Sequence, residues 1–266
     1  MIKRQLWLAF ALAWPSVALA HSPFSSDGAQ QVAAGLTLLI IAALWLLYFV
    51  GDRRSPAARW RRWLFHATTL LTLATVLGPL DDWAENSSAA HMTQHMLMMV
   101  VIAPLFTISR PLPQFFAATK SLRRLWLAPF RLTGKPMACA WLHGFVIWFW
   151  HLPPFYLLAL ENPWWHVVEH ACFLVTAMGF WWAVLHSDTG RAPQALLALL
   201  FTLMHTGFLG AFLTFASAPW YPGESRDLAD QQLAGLLMWV MGGIPYMIGA
   251  LWAARRWYRR LAPAVW

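Results

Sequence analysis

Two imidazoles and four thioethers crowd into nine residues, His91-Met92-Thr93-Gln94-His95-Met96-Leu97-Met98-Met99. On a helix, His91, His95 and Met98 or Met99 fall on one face, at spacings of four, seven and eight. Met92, Met96 and Met99 form an overlapping stripe beside it. Imidazole suits copper, zinc, iron or nickel, whereas thioether suits Cu(I) and not zinc. The pattern therefore points to a soft metal ion. The competing reading for the methionines is apolar filling, since Met adapts to irregular gaps.

The elements that must position these side chains are membrane helices. The chain has 266 residues, of which 59% are hydrophobic and 11% charged. Soluble domains carry about 25% charged residues. The net charge of +8 does not indicate a nucleic-acid partner, because the basic residues sit in short segments between apolar runs. Residues 1–20 resemble a secretory signal: Lys3 and Arg4, an apolar stretch from Leu6 to Trp14, and Ala18-Leu19-Ala20 before a cleavage point. Cleavage would leave His21 at the N-terminus, where the free amine and imidazole could chelate copper. Residues 21–266 read as one all-α domain, a polytopic membrane helical bundle. Its seven transmembrane helices lie near 31–50, 63–80, 90–109, 137–153, 166–186, 193–215 and 231–254, each close to the roughly 20 residues a span needs.

The loops alternate in charge. Sixteen of the 19 Lys and Arg fall on one side, two belong to the signal, and Arg226 alone falls on the other. Positive residues mark the cytoplasmic side. The mature N-terminus is therefore expected outside and the C-terminus inside, which a cleaved signal with seven spans also requires. The basic loop 110–136, with Phe115, Phe116, Leu122, Leu125 and Trp126, reads as an amphipathic segment on the lipid surface. Trp150, Trp181 and several other tryptophans fit interfacial or lipid-facing positions. Cys139 and Cys172 form no CxxC and are not expected to pair. Gly207, Gly210, Gly235, Gly242 and Gly243 suggest close helix contacts, and Pro104 and Pro245 suggest kinks.

Topology gives each histidine a depth. His91 and His95, His151, and His166 and His170 with Glu169 all come to the outer ends of their spans, from three helices. Asp81, Asp82 and Asp230 lie at the same level. Ionisable groups inside a membrane are candidate functional sites because burying them is costly. The expected metal ligands are His91, His95, His151, His166 and His170, with Met92, Met96 and Met99. Glu169 is a ligand or a supporting acceptor; Asp82 at the rim and His205 near mid-membrane complete the candidate metal set. His143 lies in the inner half of its span. His66 and His186 sit at inner ends and are not expected to bind metal. His166-Val167-Val168-Glu169-His170 also matches H-x-x-E-H, a zinc peptidase signature, although no substrate domain follows it.

In combination these segments resemble the polytopic CtaG family, integral-membrane assembly factors of haem–copper cytochrome c oxidases. The matching stretches are His91 to Met96, Trp150-His151-Leu152-Pro153, His166 to His170, His205-Thr206-Gly207 with Leu209-Gly210-Ala211, and Asp230-Gln231-Gln232-Leu233-Ala234-Gly235 with Met238-Trp239. The resemblance spans roughly residues 30–255. It implies a non-enzymatic protein of the bacterial inner membrane that supplies copper during oxidase maturation. Its partners would be an oxidase subunit carrying the copper site, a periplasmic copper donor and membrane lipid. Three other functions compete. One is a haem-binding redox protein using His143 and His205. Another is a copper transporter, which needs a continuous polar path. The third is an intramembrane metallopeptidase built on the H-x-x-E-H motif.

Overall fold

The computed structural model describes residues 28–122, 124, 132–221 and 226–261. The signal-like segment 1–20 and His21 lie outside the described residues, as do Arg123, Leu125, Trp126 and Arg131 of the basic loop. Among the described residues the regular elements are helices: α1 (Gly28–Arg54), α2 (Arg59–Val76), its short continuation α3 (Pro79–Asn86), α4 (Ser88–Ser109), α5 (Leu112–Ala118), α6 (Pro136–Trp150), α7 (Pro153–Glu161), α8 (Pro163–Leu185), α9 (Ala192–Thr214) and α10 (Leu228–Arg259). The protein is an all-α polytopic membrane bundle.

Six helical stretches are long and apolar enough to cross a membrane: α1, α2 with α3, α4, α8, α9 and α10. The seventh expected span, 137–153, is shorter than its apolar run. Helix α6 has 15 residues, a rise of about 22 Å at 1.5 Å per residue, against a hydrocarbon core of about 30 Å. It stops at Trp150 because Pro153 and Pro154 cannot donate to a continuing helix, and they instead start α7 in its first turn.

Successive spans run up and down, so one end of the bundle gathers the histidines and the other gathers Arg53, Arg54, Arg59, Arg110 and Arg256. The helices entering at the histidine end are firmly started. Ser87 Oγ accepts from Ala90 N at the head of α4 (3.2 Å), Asn162 Oδ1 from Trp164 N at the head of α8 (2.9 Å), and Asp227 Oδ1 from Asp230 N at the head of α10 (2.8 Å).

Helices α4, α6, α8, α9 and α10 share the main core, around Met92, Met99, Ile147, Phe173, Phe180 and Leu199. Helix α1 lies on the outside. The α9–α10 contact is backbone-close: a Cβ on Gly210 would stand 2.8 Å from Gly235 O, and one on Gly235 would stand 2.5 Å from Gly210 O. This is small-residue packing of the kind expected between membrane helices.

Three placements differ from the sequence-based expectation. Trp150 and Trp181 are each 3% exposed and belong to the core, not to a lipid-facing belt. Phe115 does not lie on a surface but packs against Tyr48 and Phe65 (6.3 and 6.2 Å between centroids). The prolines of α4 and α10 act through wider turns: π segments at Leu97–Ile102 and Leu237–Met241 precede Pro104 and Pro245. In α4, Ala103 N bonds Met98 O, five residues back. The next bond in that register would need an N–H from Pro104, which has none. The Met99 carbonyl left over accepts instead from Trp181 Nε1 of α8 at 2.9 Å. Cys139 and Cys172 are free thiols, as expected.

Candidate metal centre

The two i,i+4 histidine pairs face each other like rungs. Ring centroids are 4.2 Å apart for His91 and His95 on α4, and 4.1 Å for His166 and His170 on α8. Across the gap, His91 lies 5.5 Å from His166, and His95 lies 5.4 Å from His170. One ligand nitrogen from each of His91, His95 and His166 lies within 4.8 Å of the others. Glu169 turns inward between the pairs, its Oε2 3.8 Å from His91 Nε2 and 3.7 Å from His95 Nε2. Those separations are too long for hydrogen bonds. They fit two donors on one ion: bonds of about 2.0–2.1 Å put ligand atoms roughly 3.3 Å apart at a tetrahedral angle and about 4 Å apart across a linear one.

Burial makes the arrangement costly without a ligand. His91, His95 and Glu169 are at most 1% exposed. Both nitrogens of His91 and His95, Nε2 of His151, His166 and His170, and Glu169 Oε2 have no hydrogen-bond partner. Each unsatisfied buried group costs about 1–3 kcal/mol, and a shared metal ion would satisfy several at once. His151, just past α6, reaches the same neighbourhood: it and His95 both pack on Phe173 (6.2 and 4.7 Å). Its tautomer follows from its partner. His151 Nδ1 lies 2.7 Å from Ile147 O, and a carbonyl only accepts, so Nδ1 carries the proton and Nε2 keeps its lone pair.

Several supporting residues carry no local sequence signal. Tyr156 on α7 packs edge-on against His91 at 5.2 Å and stacks on Tyr221 at 3.7 Å. Tyr221 donates to His151 O (2.8 Å). Burial raises the Tyr156 pKa to about 12 against the opposing pull of Arg226, so the phenol stays protonated. Arg226, 6% exposed, donates to Tyr156 Oη (2.9 Å) and to the carbonyls of Ala84 (2.6 Å) and Glu85 (3.0 Å) at the end of α3. Asp230 accepts from Ser87 Oγ and from the backbone of Ser88 and Ala89 at the start of α4. Each charge matches the helix dipole that it meets. Together they clamp the α3–α4 corner just before His91. Gln94 donates to Thr75 O (2.9 Å) and Asp81 Oδ1 (2.6 Å). The proline pair that starts α7 was the available signal for a helix there; nothing in the sequence pairs Tyr156 or Arg226 with His91.

A cavity of about 500 Å³ opens beside the cluster, between α1 and α8; His91, His166, His170, Asp81 and Met98 are among its lining residues. Asp81, and not Asp82, reaches it. The methionine stripe turns away. Met92 and Met99 are each 1% exposed in the main core. Met96 Sδ lies where a Cβ on Gly242 would stand, 2.6 Å away. Met98, seven residues after His91 and so on the same helix face, is the thioether on the cavity. His205 is also elsewhere. Its ring lies against Gly144 on α6, where a Cβ would stand 2.9 Å from its Nε2.

The fold and the donor cluster define a class, a polytopic helical membrane protein with a buried histidine–carboxylate centre at one end of the bundle. Residues 41–260 match the model of the cytochrome c oxidase caa3 assembly factor family (Caa3_CtaG), and the chain belongs to that family. No curated protein and no solved structure matches the chain.

Proposed function

We propose that the protein is a non-enzymatic copper carrier that loads a cytochrome c oxidase during assembly. The observation that carries this reading is the buried, unpartnered set of His91, His95, His166, His170 and Glu169 in a chain of an oxidase assembly family. The cluster would bind copper through imidazole nitrogen, with Glu169 offsetting the ionic charge. The thioethers support this less than their spacing suggested, since only Met98 reaches the cavity. Imidazole accepts copper or zinc; membership of an oxidase assembly family, with Met98 on the cavity, favours copper.

With the arginine end in the cytoplasm, the cluster faces the periplasm of a bacterial inner membrane. A periplasmic donor would deliver the ion there, and an oxidase subunit would take it. Glu169 lies closer to a ligand's role than to a peptidase base's, because it points at the imidazoles of the opposite helix. Copper per chain, measured on purified protein reconstituted with Cu(I), tests the proposal. The expected result is loss of the tightly held ion in His91→Ala/His95→Ala, with oxidase assembly failing in cells that carry that variant. Copper retained at the wild-type level would overturn the site.

A further inference from the structure

The deeper histidines, His143 on α6 and His205 on α9, form a second pair outside the cluster described above. His143 is fully buried, and its Nδ1 lies 3.0 Å from Thr176 Oγ1 on α8. The Thr176 hydroxyl spends its own proton on Cys172 O (2.7 Å). It can therefore only accept from His143, which puts the imidazole proton on Nδ1 and leaves Nε2 as a bare lone pair. That Nε2 has no partner, and neither nitrogen of His205 has one.

His205 is brought to the pair by an absence. Gly144, next to His143, has no Cβ, and a Cβ there would stand 2.9 Å from Nε2 and 3.0 Å from Cε1 of His205. Any larger residue would push the ring away. Plain packing histidines in this molecule look different. The lone pair of His66 is taken by Trp45 Nε1, and that of His186 by Arg110 Nε. An orphaned acceptor costs about 1–3 kcal/mol, and here both histidines of two packed helices, α6 and α9, carry one.

We propose that His143 and His205 form a second, deeper site for a soft monovalent cation, Cu(I) or its redox-silent analogue Ag(I). Two neutral imidazoles without a carboxylate suit an ion of low charge that accepts two ligands. A divalent ion would need more donors and more compensating charge than this apolar depth provides. His143 lies on α6, whose end His151 caps eight residues and about 12 Å away, so a cation could be held at either of two depths. This goes beyond the proposed carrier function and does not require the outer cluster to bind.

The test uses the full chain in lipid nanodiscs titrated with Ag(I), with bound metal counted after desalting. His143→Leu and His205→Leu are each expected to lose one equivalent relative to wild type, and the double variant no more than that. His91→Ala/His95→Ala should lose a different equivalent, so that the losses add. Unchanged binding in His205→Leu, or losses that fail to add, would overturn the second site. Because His143→Leu could misfold, ¹⁵N-histidine NMR of the unaltered protein gives an independent reading. Ag(I) should shift His143 Nε2 while Nδ1 stays protonated and bonded to Thr176; an unmoved Nε2 at saturating Ag(I) overturns the proposal. Failure of the outer variants alone would count against the carrier reading and leave this one standing.

Discussion

Histidines occur at both ends of the bundle, and they are treated in opposite ways. At the arginine end, each has a donor aimed at its lone pair. Trp45 Nε1 lies 2.8 Å from His66 Nδ1, and Arg110 Nε lies 2.8 Å from His186 Nε2. Indole and guanidinium nitrogens only donate, so these imidazoles are fixed as acceptors. At the other end, His91, His95, His166 and His170 have unpartnered nitrogens, and His151 has its one bond at Nδ1. The two groups differ in the fate of the lone pair: it is taken at His66 and His186 and open at the candidate ligands.

The largest effect should come from Glu169, the carboxylate among the open imidazoles. Glu169→Gln keeps the size and removes the charge, and a loss of about 10- to 100-fold in copper affinity is expected. Chelator competition measures it; an unchanged affinity would remove Glu169 from the site. A smaller and different effect is expected at the arginine end. Trp45→Phe takes the donor from His66 and should cost about 1 kcal/mol of stability in thermal unfolding, with copper content unchanged. If that variant instead gains a bound ion, an open lone pair alone makes a ligand, and the comparison sharpens to that single feature.

The smallest effect is a pH dependence at His186. Burial, and then the neighbouring Arg110, hold its pKa down to about 4, against about 6.5 in an unfolded chain. Its folded state favours the neutral ring. That contribution is complete above about pH 6.5 and disappears as pH falls through about 4. His186→Gln, which can still accept from Arg110, should flatten that part of the stability curve. Parallel curves for the two proteins would show that His186 does not titrate in this window.

Much of this was legible in the sequence, for physical reasons that also mark the limit. Charge alternation and apolar run length placed His91, His95, His151, His166 and His170 at one level, and the structure brings them together. Spacing along a regular helix held for Met98, seven residues after His91 and on the same cavity, and failed at Met92, Met96 and Met99, whose thioethers are taken up by packing in the core and against Gly242. The seventh span came out short because apolar composition does not register where Pro153 ends a helix. Tyr156, Arg226 and the choice of Asp81 over Asp82 depend on contacts between residues far apart in sequence, such as Arg226 with Ala84. No local pattern encodes those. The H-x-x-E-H spacing matched a peptidase signature, yet Glu169 lies nearest the imidazoles of another helix.

The π segment of α4 works as a phase adjuster. A turn that closes five residues back holds about one residue more than an α turn, so everything beyond it is rotated by about 100°. The half of α4 bearing His91 and His95 can face α8, while the half beyond Ile102 presents an independently chosen side to Phe65 and the arginine end. Trp181, by bonding the Met99 carbonyl, latches that offset from the neighbouring helix. One helix thus serves two environments whose registers would otherwise conflict, and the inner half can change its packing without turning the half that bears His91 and His95.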